Sequence, residues 1–97
     1  MLQIQDWIRE TTFEGLTVQK IFKTENTETL LITLEKDHNF PEHVSPRDAL
    51  LVMLEGSIKF KIQKKEYSIN WQDSFTFPAN EPHHVTAVED SKFLIIR

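Results

Sequence analysis

Cysteine is absent from the 97-residue chain. That excludes a disulfide framework and every thiol-based catalyst, and it is compatible with a reducing compartment. Glycine is scarce, with two residues, so other residues must take the left-handed backbone positions of the turns. Asn80 and Asp73 are the candidates, because short polar side chains tolerate that region best. No apolar run approaches the length of a membrane span, and Met1 to Trp7 has neither a basic leader nor an apolar signal core. The expectation is a cytoplasmic protein that does not enter membranes. Excess basic charge is missing too: the net charge is -4, which argues against a nucleic-acid partner. Lys59, Lys61, Lys64 and Lys65 read as a solvated face. There is no glycine-rich phosphate loop and no serine in a nucleophile elbow. Ser45 beside His43 is a nucleophile-base pair on paper, but it has no third group to orient it.

What the chain does have is a series of short strand patterns. Leu16, Val18 and Phe22 can share a face, with Ile21 breaking the alternation. Leu30, Ile32 and Leu34 alternate cleanly, as do Ile58, Phe60 and Ile62, then Tyr67, Ile69 and Trp71, then Phe75 and Phe77. Val85 to Val88 and Phe93 to Ile96 supply two more strands. Leu50 to Leu54 is apolar on both faces, as a strand covered on both sides would be. Lys36 to Pro46 reads as a polar loop, and Leu2 to Glu10 as a short helix or an irregular arm over the core. About eight short strands with turns every eight to twelve residues predict an all-β sandwich or barrel, in one domain over residues 1–97.

The only chemistry on display lies in two proline-bracketed turns. One runs from Phe40 through His43 and Ser45 to an apolar strand ending at Gly56. The other is Phe77-Pro78-Ala79-Asn80-Glu81-Pro82-His83-His84. Together they resemble the two motifs of the cupin superfamily, small conserved β-barrels of the jelly-roll type. The resemblance covers residues 30 to 97. In the first motif His43 matches the first histidine and Gly56 the closing glycine. Ser45 stands where a second histidine belongs, Ala49 where the glutamate belongs, and Asp37 where the opening glycine belongs. In the second, Pro78 and His83 match, while Gln72 and Asn80 replace the two glycines and Ala87 the final asparagine.

The resemblance implies a barrel whose inward residues include His43, Ser45, Ala49 and His83. In the family a divalent transition metal is held by three histidines and a glutamate. Here the metal-binding motif is degenerate, leaving His43 and His83 as the metal ligands, with weak binding or none. Ser45, Ala49, Met53, Phe60, Phe75 and Phe77 are the residues expected to line the pocket. His84 has the opposite parity to His83, His38 sits in a loop, and Asp48 is one residue off the inward register. The function expected first is binding of a small polar molecule inside the barrel. A metal-dependent enzyme of dioxygenase or isomerase type and a structural or sensory domain are the alternatives. A homodimer is expected, because Leu50, Val52 and Leu54 would give the outer face of their strand too much apolar surface for open water.

Overall fold

A computed structural model describes residues 1–97. It contains one four-residue helix, α1 (Trp7–Glu10), and nine strands: β1 (Leu16–Lys23), β2 (Glu28–Leu34), β3 (Asn39–His43), β4 (Ala49–Glu55), β5 (Ser57–Ile62), β6 (Lys65–Asn70), β7 (Ser74–Phe77), β8 (His83–Ala87) and β9 (Ser91–Ile96). They form two antiparallel sheets, a five-stranded one in the order β1-β2-β9-β4-β7 and a four-stranded one in the order β3-β8-β5-β6. This is the all-β jelly-roll barrel, with a short N-terminal helix.

The alternation of the sequence becomes the wall of the core. Leu30, Ile32 and Leu34 from β2, Leu51 and Met53 from β4, and Phe93 and Ile95 from β9 face Ile58, Phe60 and Val85 of the opposite sheet. Ile21, the residue that breaks the pattern of β1, lies at a register shift between Lys20 and Phe22. A bulge there absorbs the extra residue.

One strand was hidden. The expected polar loop from Lys36 to Pro46 contains β3, at the edge of the four-stranded sheet. An edge strand has one unpaired side, so it tolerates Pro41 and carries polar residues, which makes it look like a loop in sequence. Its pairing with β8 shifts register between Phe40 and His43. Two residues on β3, Pro41 and Glu42, thus oppose one on β8, His84, and the bulge turns both Phe40 and His43 to the same side, where their rings stack at 4.0 Å.

Among the turn positions that take the left-handed backbone, Asp37 and the expected Asn80 carry the short polar side chains that tolerate it best. Asp37, Gln72 and Asn80 have φ of 68°, 72° and 65°. These are the three positions where the family motifs carry glycine. Asp73, the second candidate for a left-handed backbone, does not take it; the preceding Gln72 does. Asp73 instead accepts a hydrogen bond from the Asn70 backbone N–H at its Oδ2, 2.8 Å, and closes the turn.

Outside the five-stranded sheet the N-terminal arm covers part of the surface. Lys92, buried on that face, donates from Nζ to the Ile8 carbonyl at 2.6 Å and lies 5.3 Å above the Phe13 ring. Leu31 and Thr33, also on that outer face, are fully buried. Trp7 is 45% exposed. It shares a surface depression with Ile8, Ile21 and Phe22. No helix is long and apolar enough to cross a membrane.

Candidate functional site

A cavity of about 200 Å³ opens at one end of the space between the sheets. Its walls are apolar, with Leu30, Ile32, Phe93 and Ile95 on one side and Phe60 and Val85 on the other. Val18 and Val44 also line it and are each 49% exposed, so they form its rim. The polar groups gather at one end: His43, Ser45, His83 and Arg97.

The backbone fixes both imidazoles. His43 Nδ1 lies 2.7 Å from the Pro41 carbonyl oxygen, and His83 Nδ1 lies 2.9 Å from the Glu81 carbonyl oxygen. A carbonyl can only accept, so each Nδ1 carries the proton and each Nε2 keeps its lone pair in the neutral ring. The rings meet edge to face, 4.3 Å between centroids. His83 also stacks against Phe60, 5.1 Å away and nearly parallel. His83 is 3% exposed. Burial pushes its pKa below the ordinary imidazole value, the nearby charges of His43 and Arg97 push the same way, and the bond to the Glu81 carbonyl opposes them.

Ser45 is 1% exposed and committed locally. Its hydroxyl donates to the Arg47 carbonyl at 2.6 Å and accepts from Arg97 Nη1 at 3.3 Å. Arg97 in turn donates from Nε to Glu28 Oε2 at 2.7 Å, and Lys20 Nζ reaches Glu28 Oε1 at 3.2 Å. Hydrogen bonds from Arg97 and Lys20 hold the Glu28 carboxyl below the usual carboxylate range.

Sequence reasoning passed over these three charges. Their signal is parity: Arg97 continues the inward series Phe93, Ile95, and Glu28 precedes the inward series Leu30, Ile32. Lys20 pairs with Leu30, and the backbones of Glu28 and Arg97 exchange hydrogen bonds of 2.7 and 3.0 Å. Charged residues that extend an inward apolar face at one end of three adjacent strands mark a polar mouth.

Of the expected pocket residues, Ser45, Phe60 and Phe77 line the cavity with His43 and His83. Ala49, Met53 and Phe75 do not. Ala49 is buried in the core beside its strand partner Phe77 and borders a separate shallow depression with Asp48 and Thr76. Met53 pairs with Phe93 farther along β4, on the side away from the mouth. Phe75 packs behind Phe60 and Phe77, at ring distances of 5.0 and 6.3 Å, and is shielded by them. Inward parity puts a side chain in the core, but only position along the strand decides whether it reaches the cavity. Asp48 faces away and accepts a hydrogen bond from the Ala79 backbone N–H at 2.9 Å. His84 lies on the outer face with Lys59, Lys61 and Glu66. Glu42, exposed, is directed outward by the β3 bulge, and His38 is an exposed loop residue.

The donor set does not fit a tightly held transition metal. No group of three or more His, Cys, Asp or Glu side chains is placed to hold one ion. Two imidazoles supply two donors, the Ser45 hydroxyl is neutral and already bonded, and the third polar group is a permanent cation that repels a second one.

Comparison with known proteins agrees with the fold. A family model described as "Cupin domain" matches residues 30–96. No curated protein matches the chain. Among solved structures, an RmlC-like cupin protein from Desulfovibrio desulfuricans is 20% identical with a TM-score of 0.85, over 99% of this chain and 95% of that one. The SPY1581 protein of unknown function from Streptococcus pyogenes is 22% identical with a TM-score of 0.84, over 99% of this chain and 86% of that one. KdgF from a Halomonas species is 16% identical with a TM-score of 0.77, over 90% of this chain and 82% of that one.

Proposed function

This chain belongs to the Cupin domain family, and from that premise we propose that it binds a small polar molecule in the cavity between its sheets. The observation that carries the reading is the cavity itself. A barrel serving only as a structural module has no need to keep a cavity of about 200 Å³ beside two imidazoles. That space equals six or seven water molecules at roughly 30 Å³ each. The ligand is therefore small, with an apolar part against Phe60 and Ile95 and a polar part toward His43, Ser45 and His83. With each Nδ1 committed to a carbonyl, the two Nε2 atoms are acceptors for ligand N–H or O–H groups.

The test is a screen of small polar molecules by NMR, using Val18→Trp as the control. Val18 sits on the rim, so a tryptophan there blocks the mouth without entering the core. Binding shifts resonances of His43, His83 and Phe60 in the parent and not in Val18→Trp. Shifts that persist in the blocked variant, or a screen without any cavity hit, would sink the reading.

A metal-dependent enzyme is the second reading, favoured by two adjacent imidazoles whose Nδ1 atoms are committed to carbonyls, which leaves each Nε2 free as a donor to a metal. Elemental analysis of protein purified without a metal-affinity tag separates the two. A near-stoichiometric transition metal, lost in His43→Ala and in His83→Ala, supports the enzyme. Its absence after soaking in iron, manganese, nickel, zinc and copper supports the binding protein.

A further inference from the structure

Resting on the reading of the cavity as a binding site, we infer that its ligand is a small organic carboxylate and that Arg97 is the anchor. The charge that faces the cavity is the starting point. Of the three charged side chains at the mouth, Lys20, Glu28 and Arg97, only Arg97 lines the cavity. No carboxylate side chain is among the residues that line it. The Arg97 guanidinium is mostly sheltered, with 19% of its side-chain surface exposed. Positive charge in such a place is weakly screened, so an anion gains more from it than on an open surface.

Donor arithmetic points the same way. A guanidinium has five N–H donors in a planar fork. One goes to Glu28 and one to Ser45, which leaves three. The two existing bonds also fix the plane of the fork, so a ligand does not have to order it on arrival. A carboxylate matches that fork. A hydroxyl elsewhere on the ligand donates to the imidazole Nε2 atoms, and the apolar walls take its short hydrocarbon or ring. A phosphate dianion fits less well, because a single guanidinium faces the cavity and the walls offer little else to it.

The experiment titrates lactate, 3-hydroxybutyrate and 4-hydroxybenzoate, each against its uncharged amide, with inorganic phosphate as a further arm, read by NMR at cavity residues. The expected result is that at least one carboxylate binds at least tenfold more tightly than its amide and than phosphate. Arg97→Gln should erase that preference. Glu28→Gln, which keeps Arg97 and removes its competitor, should strengthen carboxylate binding several-fold. The second variant guards against a loss of fold in the first. Equal binding of acid and amide, or a preference unchanged in both variants, overturns the inference while leaving the cavity reading intact. Tighter binding of phosphate overturns the carboxylate and keeps an anion. Silence from every acid while an uncharged polar molecule enters the cavity overturns the anion altogether.

Discussion

His43 and His83 come from different strands, yet their rings touch edge to face at 4.3 Å with both Nδ1 atoms turned to backbone carbonyls. His83 sits among apolar walls, where carrying a charge is unfavourable. The His83 pKa accordingly lies below its ordinary value of 6.5, mainly through burial.

The first prediction is a dependence of stability on pH. His83 binds its proton less readily in the folded than in the unfolded chain, so the unfolded state is favoured by protonation. The stabilisation from neutral His83 is complete above pH 6.5 and is lost as the pH falls below that value through the lowered folded-state pKa. Glu28 acts further down: its contribution is complete above 4.5 and is lost as the pH falls through its own lowered value. Urea denaturation from pH 8 to 4 should show a first loss starting near pH 6.5, which His83→Asn removes. A flat profile down to pH 5 would show that His83 is not buried as described.

Gly56 lies at φ 85°, and a methyl group there would land on the Asp90 carbonyl and the Ser91 side chain. Gly56→Ala therefore combines a strained backbone with a clash against main chain, and should cost about 3 kcal/mol or more. Thermal denaturation measures it, and a loss below about 1 kcal/mol would contradict the close approach.

The β5-β6 hairpin should gain from the opposite kind of change. Gln63 and Lys64 both adopt positive φ, 53° and 63°, in a two-residue loop between the paired Ile62 and Lys65. That geometry prefers Asn-Gly. Replacing Gln63-Lys64 by Asn-Gly should stabilise by about 1 kcal/mol, and raise Tm by roughly 4–8 °C. An unchanged or lower Tm would refute the turn type.

Leu50, Val52, Leu54, Leu94 and Ile96 share the outer face of the five-stranded sheet, half-buried beside the region that the N-terminal arm protects. The homodimer proposed for this chain would cover them. Light scattering should give the mass of a dimer for the parent and of a monomer for Val52→Glu, because a carboxylate in the middle of that face cannot be paired there. A monomeric parent removes the proposal.

Legibility in the sequence followed the physics of exposure. Strands with one wet face, such as Ser57–Ile62, announce themselves by alternation. β3 did not, because an edge strand with a proline and a bulge loses the period that identifies a strand. The two histidines stood out as unusual residues in marked turns. Arg97 did not, since an arginine after an apolar strand looks like the start of a surface segment. Only the pairing of Arg97 with Glu28 shows that the inward face runs on through it. Ala49, Met53 and Phe75 had the right parity, but sequence carries no measure of depth along the barrel.

The strand order β1-β2-β9-β4-β7 also has a temporal meaning. The strand at the centre of the larger sheet, β9, follows all the others in the chain. During synthesis β1-β2 and β4-β7 can form as separate hydrogen-bonded pairs, but nothing joins them until β9 leaves the ribosome and slides between β2 and β4. The residue that completes the mouth of the cavity, Arg97, arrives with it. Nascent chains therefore carry two open sheet edges until β9 pairs, and the step that closes them also completes the mouth of the cavity.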